Sequence, residues 1–309
     1  MDTVGLAGGV SGSAGARSLS GEASSVFSVL SVLKPGISFG VALAGLAGMA
    51  LAGEGLPGVR AALLLMLCIL MASGGSAVMN VLFEADTDAY MPRVAGRADA
   101  VRRFGAVRAA VLAHVLILAS LALSYFYINA ATAILIIAAV VSYALFYTLY
   151  FKKSTPYGTV MGAIPGALPV LIGYVAVNPR IGADGLLLFL IMLMWQPPHF
   201  LALALNRRDE YMAAGIPVMP VSLGEPYTRA FMLIYASALP PLALSLWALG
   251  YCSAWFTAFA FPVSVLFVAY CFMNVVMKKN YGRAFTASVV YITAVLIAVI
   301  VDVGIRGGM

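Results

Sequence analysis

Four polar side chains fall close together in the stretch NVLFEADTDAYMPR at 80–93: Asn80, Glu84, Asp86 and Asp88. If a helix runs through it, Asn80, Glu84 and Asp88 recur at i, i+4 and i+8 and share one face. The stretch begins as a long apolar run ends, which places that face at a membrane boundary. Carboxylates gathered there repel one another and lose hydration. A cation relieves both, and hard oxygen ligands suit Mg²⁺. Mg²⁺ held by one or two carboxylates keeps positions for water and for substrate phosphates. The alternative is a charged, solvated loop that only sets topology.

A second polar stretch, NRRDEYMAAGIPVMP at 206–220, again starts where an apolar run stops. Asp209 and Glu210 form an acidic pair beside Arg207 and Arg208, and Pro217 and Pro220 favour a structured loop. On the same face of the membrane as the first cluster, this pair would complete a two-sided metal clamp; the alternative is a topology-setting loop with compensating charges. A third stretch, YFKKSTPY at 150–157, ends an apolar run with Lys152 and Lys153. Such lysines are either snorkelling anchors or, with Arg93, neutralising partners for phosphate oxygens. A fourth, MWQPPHFLALAL at 194–205, puts Gln196 and His199 inside an apolar run beside Pro197 and Pro198. Polar groups there face a cavity or bond to another helix. His199 is open to two roles, axial ligand to a haem or hydrogen-bonded packing. His114, with no polar neighbours, reads as packing. Finally Tyr143, Phe146, Tyr147 and Tyr150 recur at helical spacing and form one aromatic stripe running towards Lys153. Such a stripe is either packing or a wall that stabilises a cation. Together these groups suit allylic diphosphate chemistry. Metal and basic groups would stabilise departing diphosphate, an apolar cavity would hold an isoprenoid tail, and aromatics would shield the allylic cation.

The elements that must position these groups are membrane helices. Of the 309 residues 63% are hydrophobic and 10% charged, outside the balance of soluble globular chains. The expectation is an all-α polytopic membrane protein whose helices form one bundle around a central cavity open at the cytoplasmic mouth. Nine apolar runs approach the length of a spanning helix: 36–53, 59–82, 107–127, 130–150, 158–178, 184–206, 228–250, 254–276 and 284–304. The first is short and Gly-rich. With this division, 15 of the 18 Lys and Arg residues fall on one side, leaving Arg60, Arg180 and Arg306 on the other. That bias puts the N-terminus in the cytoplasm and the C-terminus outside. It also gives the net charge of +6 a topological meaning, so no nucleic-acid partner is expected. Residues 1–30, rich in Gly, Ser and Ala, lack a continuous apolar core before a cleavage site and are expected to be a flexible cytoplasmic tail. Residues 31–309 are expected to form a single domain. Cys68, Cys252 and Cys271 lie in apolar runs without a CxxC pattern, which indicates buried, inert thiols. The loops at 83–106 and 207–227 are long enough to carry function.

These stretches resemble the intramembrane prenyltransferases of the UbiA superfamily. NVLFEADTDAYMPR, STPYGTVMGAIPGALPVLIGY at 154–174, WQPPHF at 195–200 and EYMAAGIPVMPV at 210–221 carry the likeness, and KPGISFG at 34–40 resembles the family's opening Lys-Pro segment. WQPPHF with AGIPVMPV is similar to the branch that farnesylates protohaem IX. The resemblance implies that farnesyl diphosphate binds through Mg²⁺ at the cytoplasmic mouth and that the farnesyl group passes to a vinyl group of haem B, with addition of water, to give haem O for terminal oxidases. It matches Asn80, Glu84 and Asp88, with Asp86 between them, to the family's metal-diphosphate positions, giving Glu84, Asp86 and Asp88 catalytic roles, and the aromatic stripe adds Tyr147 as the catalytic group that stabilises the cation. Asn80, Arg93, Lys152 and Lys153 would contact diphosphate, His199 and Gln196 would line the haem cavity, and Glu84, Asp88 and Glu210 would ligate metal. It further implies a bacterial inner membrane and, as partners, the lipid bilayer and a haem A synthase or oxidase assembly factor. The family usually carries Asp at the positions of Glu84 and Glu210 and Arg at that of Ala85. After Arg93 it continues Thr-x-x-Arg-Pro, where this chain reads VAGRADAV and leaves Arg97 as the basic residue of that loop. The other readings are transfer to an aromatic or quinone-precursor acceptor, since fold alone does not fix substrate, and a transporter built around the polar groups.

Overall fold

The structure is a computed structural model that describes residues 32–53, 55–88 and 90–307, the Arg93 side chain excepted. The expected N-terminal tail lies outside the described residues. Twelve helices follow in order among those residues: α1 (Pro35–Leu51), α2 (Val59–Asp88), α3 (Pro92–Phe104), α4 (Ala106–Tyr127), α5 (Ala130–Ser154), α6 (Gly158–Val177), α7 (Ala183–Asn206), α8 (Arg208–Ala213), α9 (Met219–Ser222), α10 (Glu225–Ala248), α11 (Ala254–Met277) and α12 (Tyr281–Gly307). No strand occurs among the described residues.

Eight of these helices are long and apolar enough to cross a membrane: α2, α4, α5, α6, α7, α10, α11 and α12. Their bounds sit close to eight of the nine expected runs. The first expected run is α1, only 17 residues long, which at 1.5 Å per residue is about 25 Å. Eight long helices and one short one thus stand where nine spans were expected. Outward-facing residues such as Phe126, Tyr127, Trp255 and Leu266 are exposed and apolar, the surface that lipid would solvate. The three cysteines are free and buried, as expected.

The expected loop at 83–106 is largely helix. α2 continues through Glu84 to Asp88, and Pro92 then starts α3, where a missing N–H is harmless. α3 is amphipathic, with Val94, Ala98, Ala100 and Val101 buried and Arg102 and Arg103 outward. The expected loop at 207–227 contains the short α8 and α9. The two segments dock on each other through Met91 and Val94 against Ile216 and Val218, with Ala204 of α7 in the same cluster.

α1 packs between α2, α6 and α12, and its small residues allow close approach. A Cβ on Gly173 of α6 would run into the backbone oxygen of Gly45, and one on Gly48 would run into that of Val170. Both obstacles are backbone, which cannot rotate aside. We expect Gly173→Ala to separate α1 from α6 and to cost about 1–3 kcal/mol, read as earlier thermal unfolding in detergent. Gly40→Ala, with nothing within 4 Å of the added carbon, should unfold as the parent does.

Candidate active site

The end of α2 forms the expected polar face. Asn80, Glu84 and Asp88 are 4%, 3% and 5% exposed. Asp86, two residues from Glu84, is turned outward and exposed. The structure therefore brings three of the four polar residues together and leaves Asp86 apart, as a helix turning 3.6 residues per turn requires.

Cations from other segments close on this face. Both oxygens of Glu84 lie 2.6 and 2.7 Å from Lys152 Nζ at the end of α5. Asn80 Oδ1 accepts from Lys34 Nζ at 2.9 Å, and Asn80 Nδ2 donates to Thr148 Oγ1 at 3.1 Å. Lys34 precedes Pro35 with φ of 50°, a left-handed conformation uncommon for a residue with a side chain. Burial pushes the Lys34 ammonium down to about 8, with Arg97 and Lys152 adding to the fall and Glu84 and Asp88 opposing it. Lys34, Arg97 and Lys152 thus surround Glu84 and Asp88 with an excess of positive charge, an arrangement that attracts a polyanion. Lys153 is exposed and does not join them.

The aromatic stripe is split. From Ser142 to Phe151 the helix widens into a π-helix, so residues at i, i+3, i+4 and i+7 no longer share one face as they do in an α-helix. Tyr143 and Tyr147 turn inward with rings 5.8 Å apart, whereas Phe146 and Tyr150 are 56% and 62% exposed. The wide turn also lets Thr148 Oγ1 donate to the oxygen of Tyr143, five residues back. Gly162 makes room for Tyr147, since a Cβ there would sit 2.7–2.8 Å from its ring. Tyr211 of α8 lies within electrostatic reach of Tyr147 and Lys152.

Glu210 does not complete the expected clamp. Its Oε1 accepts from Arg207 at 2.9 Å. With Asp209, Arg208 and Glu225 it lines a separate polar pocket of about 450 Å³. Neighbouring positions on α8 point in different directions, and Tyr211 packs against the cluster of Met91, Val94, Ile216 and Val218. Among the described residues no three His, Cys, Asp or Glu side chains cluster as a metal cage. A cage is not required for Mg²⁺, which binds through one or two carboxylates and substrate phosphates. The donor set fits that pattern, because Glu84 Oε1 is buried and accepts no hydrogen bond of good geometry.

In α7, Gln196 is 2% exposed and donates to the oxygen of Ala163 in α6 at 2.9 Å. It serves as a bond between helices, the packing role that was left open. His199 stacks between Trp195 and Phe285, with centroids at 4.8 and 4.5 Å. Its Nδ1 is 2.8 Å from Ser288 Oγ, which donates its one proton to the oxygen of Phe285 at 2.6 Å. With that proton on Phe285, Ser288 would accept from His199, which would put the imidazole proton on Nδ1 and leave Nε2 a lone pair.

Lys34, Thr148, Tyr211 and Gly162 were not singled out from sequence as site residues. Only the Lys-Pro step at the start of α1 gave any signal for Lys34. We expect Gly162→Ala to displace the Tyr147 ring. In a turnover assay this should lower kcat about 10-fold or more with little change in binding of inorganic diphosphate.

Known proteins share this architecture. The sequence pattern of the UbiA prenyltransferase family matches residues 41–300. The chain is 42% identical over 255 residues to a protoheme IX farnesyltransferase of Geotalea uraniireducens, covering 82% of this chain and 98% of that one. It is 37% identical over 243 residues to one of Erythrobacter litoralis, covering 76% and 79%. Among solved structures, a digeranylgeranylglyceryl phosphate synthase overlays with a TM-score of 0.73 at 17% identity, covering 91% of this chain and 99% of that one. A UbiA homolog from Archaeoglobus fulgidus bound to GPP and Mg²⁺ overlays at 0.59 with 16% identity, covering 89% and 99%. The family pattern spans most of the chain, and full-length relatives and the helical architecture agree with it, so this integral membrane protein belongs to the UbiA prenyltransferase family.

Proposed function

We propose that this enzyme transfers the farnesyl group of farnesyl diphosphate to a vinyl group of haem B. The observation that carries the reading is the buried Asn80, Glu84 and Asp88 face with Lys34 and Lys152 closed on it. Similarity to protoheme IX farnesyltransferases supplies the acceptor. The site faces the cytoplasm of a bacterium, the side on which most Lys and Arg residues lie, and α1 is a ninth, short crossing.

Glu84 and Asp88 would hold Mg²⁺, which supplies charge stabilisation for the departing diphosphate. Lys34, Lys152 and Arg97 bind and orient the diphosphate oxygens, as Arg93 does from the start of α3. The allylic C1–O bond breaks and its electrons leave with diphosphate. Tyr143 and Tyr147 face the allylic cation and keep water from it. The vinyl CH₂ carbon then bonds to C1. Water adds to the adjacent carbon and loses a proton, so farnesyl diphosphate, haem B and water give haem O, diphosphate and a proton. His199 presents Nε2 to the haem iron and so orients the porphyrin. Haem is the substrate here and need not remain bound.

The test is incubation of the purified chain with haem B, farnesyl diphosphate and Mg²⁺, with products read by mass spectrometry. We expect a haem heavier by one farnesyl group plus water. Transfer to a quinone precursor and not to haem would move the chain to another branch of the family. Release of no diphosphate at all would favour transport. Asp88→Ala should abolish turnover in a folded protein, and normal turnover would remove the diphosphate site from α2. His199→Ala should weaken haem binding in an absorbance titration while leaving diphosphate binding intact.

pH offers a separate check. Lys34 is charged below about 8 and neutral above it. Neutral Lys34 binds diphosphate less well, so kcat/KM for the diphosphate should fall as pH rises through about 8, since kcat/KM reports the free enzyme. Lys34→Arg should keep activity to higher pH, and an unchanged profile in that variant would exclude Lys34 as the titrating group.

A further inference from the structure

We propose that Lys152 holds the metal's place on Glu84 until a diphosphate draws it away, so that divalent metal enters with diphosphate and not before it. The proposal rests on the reading of Glu84 as a metal ligand and adds an order of binding to it.

The geometry is specific. Lys152 Nζ sits on both carboxylate oxygens of Glu84, at 2.6 and 2.7 Å. Among the described residues no other side chain bonds to that carboxylate, and its Oε1 accepts no well-formed hydrogen bond. Glu84 is 3% exposed, so water does not share the site freely. A Mg²⁺ ion binds carboxylate oxygens at about 2.0–2.1 Å. It would then stand next to the ammonium on the same two atoms, with little solvent to screen the repulsion. One cation must leave. Nearby, Lys34 Nζ occupies Asn80 Oδ1 in the same way, and Arg97 adds charge. Metal alone therefore meets a face whose oxygens are already neutralised.

Diphosphate changes the balance. It gives the Lys152 ammonium a second acceptor, and the flexible four-carbon stem can follow it. The stem starts directly after the π-helix of α5, and the chain leaves the helix by Pro156. Once Lys152 turns to phosphate, Glu84 is free for metal, and the metal in turn strengthens diphosphate binding. The coupling is reciprocal. Product release reverses it, because Lys152 returns to Glu84 as the metal–diphosphate pair departs.

The experiment measures metal binding rather than turnover. Mn²⁺ bound to the full chain in nanodiscs is followed by electron paramagnetic resonance, with and without inorganic diphosphate, after subtracting the Mn²⁺–diphosphate complex in solution. For the parent we expect Mn²⁺ affinity to rise about tenfold or more on adding diphosphate. Lys152→Met should bind Mn²⁺ without diphosphate, at least about tenfold more tightly than the parent does. Mn²⁺ alone should also raise its thermal unfolding temperature, which checks that the variant folds. Lys152→Arg, which keeps the charge, should exclude free metal as the parent does, and so should Lys153→Met, whose side chain points away. Equal Mn²⁺ affinity in the parent with and without diphosphate would overturn the order of binding while leaving the metal site in place. Mn²⁺ binding unaffected by Glu84→Gln, or no binding under any condition, would overturn the metal site and the proposal together.

Discussion

Buried charge at the end of α2 sets the terms for the rest of the molecule. Taking a carboxylate out of water costs several kcal/mol even after relaxation, and Glu84 and Asp88 are both withdrawn from solvent. Helix α2 itself carries no cation on that turn to compensate the cost. The cations come from residue 34, from α3, which follows α2 directly, and from the end of α5, so three segments must converge on one turn of helix. The bundle is the means of that convergence. α1 is drawn close by glycine contacts with α6 and so delivers Lys34, and α5 delivers Lys152.

The π-helix in α5 is the second device. A regular α-helix over 142–151 would have put all four aromatics on one side. The wider turn instead brings Thr148 to Asn80 of α2, stacks Tyr143 on Tyr147 beside Gly162 of α6, and places Lys152 on Glu84. Wide turns of this kind are rare and recur at functional sites. Here the same turn positions a polar contact to Asn80, an ion pair to Glu84 and two inward rings, so polar and aromatic parts of the site are fixed together. His199, remote in sequence, is fixed by different means: stacking on both faces and a hydrogen bond to Ser288.

Much of this was legible in the residues. Apolar runs located the helices closely because a span must satisfy its backbone internally over a fixed thickness. Spacing of i, i+4 and i+8 located the Asn80, Glu84 and Asp88 face because α-helical periodicity is fixed. The departures from the expected arrangement have equally physical causes. Asp86 was counted by proximity in sequence although it lies on the opposite side of the turn. Lys153 was paired with Lys152 although adjacent helical residues diverge. Glu210 carries the charge a clamp needs, but Arg207 three residues before it takes that charge.

Sequence by itself therefore determined the membrane class, the helix positions and the polar face of α2, because those follow from local periodicity and from the apolar solvent. Tertiary structure decided which cation meets which carboxylate, which tyrosines face inward and which way Glu210 turns. Those choices depend on backbone geometry that departs from the regular helix, at the left-handed Lys34, in the π-helix of α5 and at the start of α8. They also depend on close helix approach permitted by Gly45, Gly48, Gly162 and Gly173, which is a property of pairs of segments and cannot be read from either one alone.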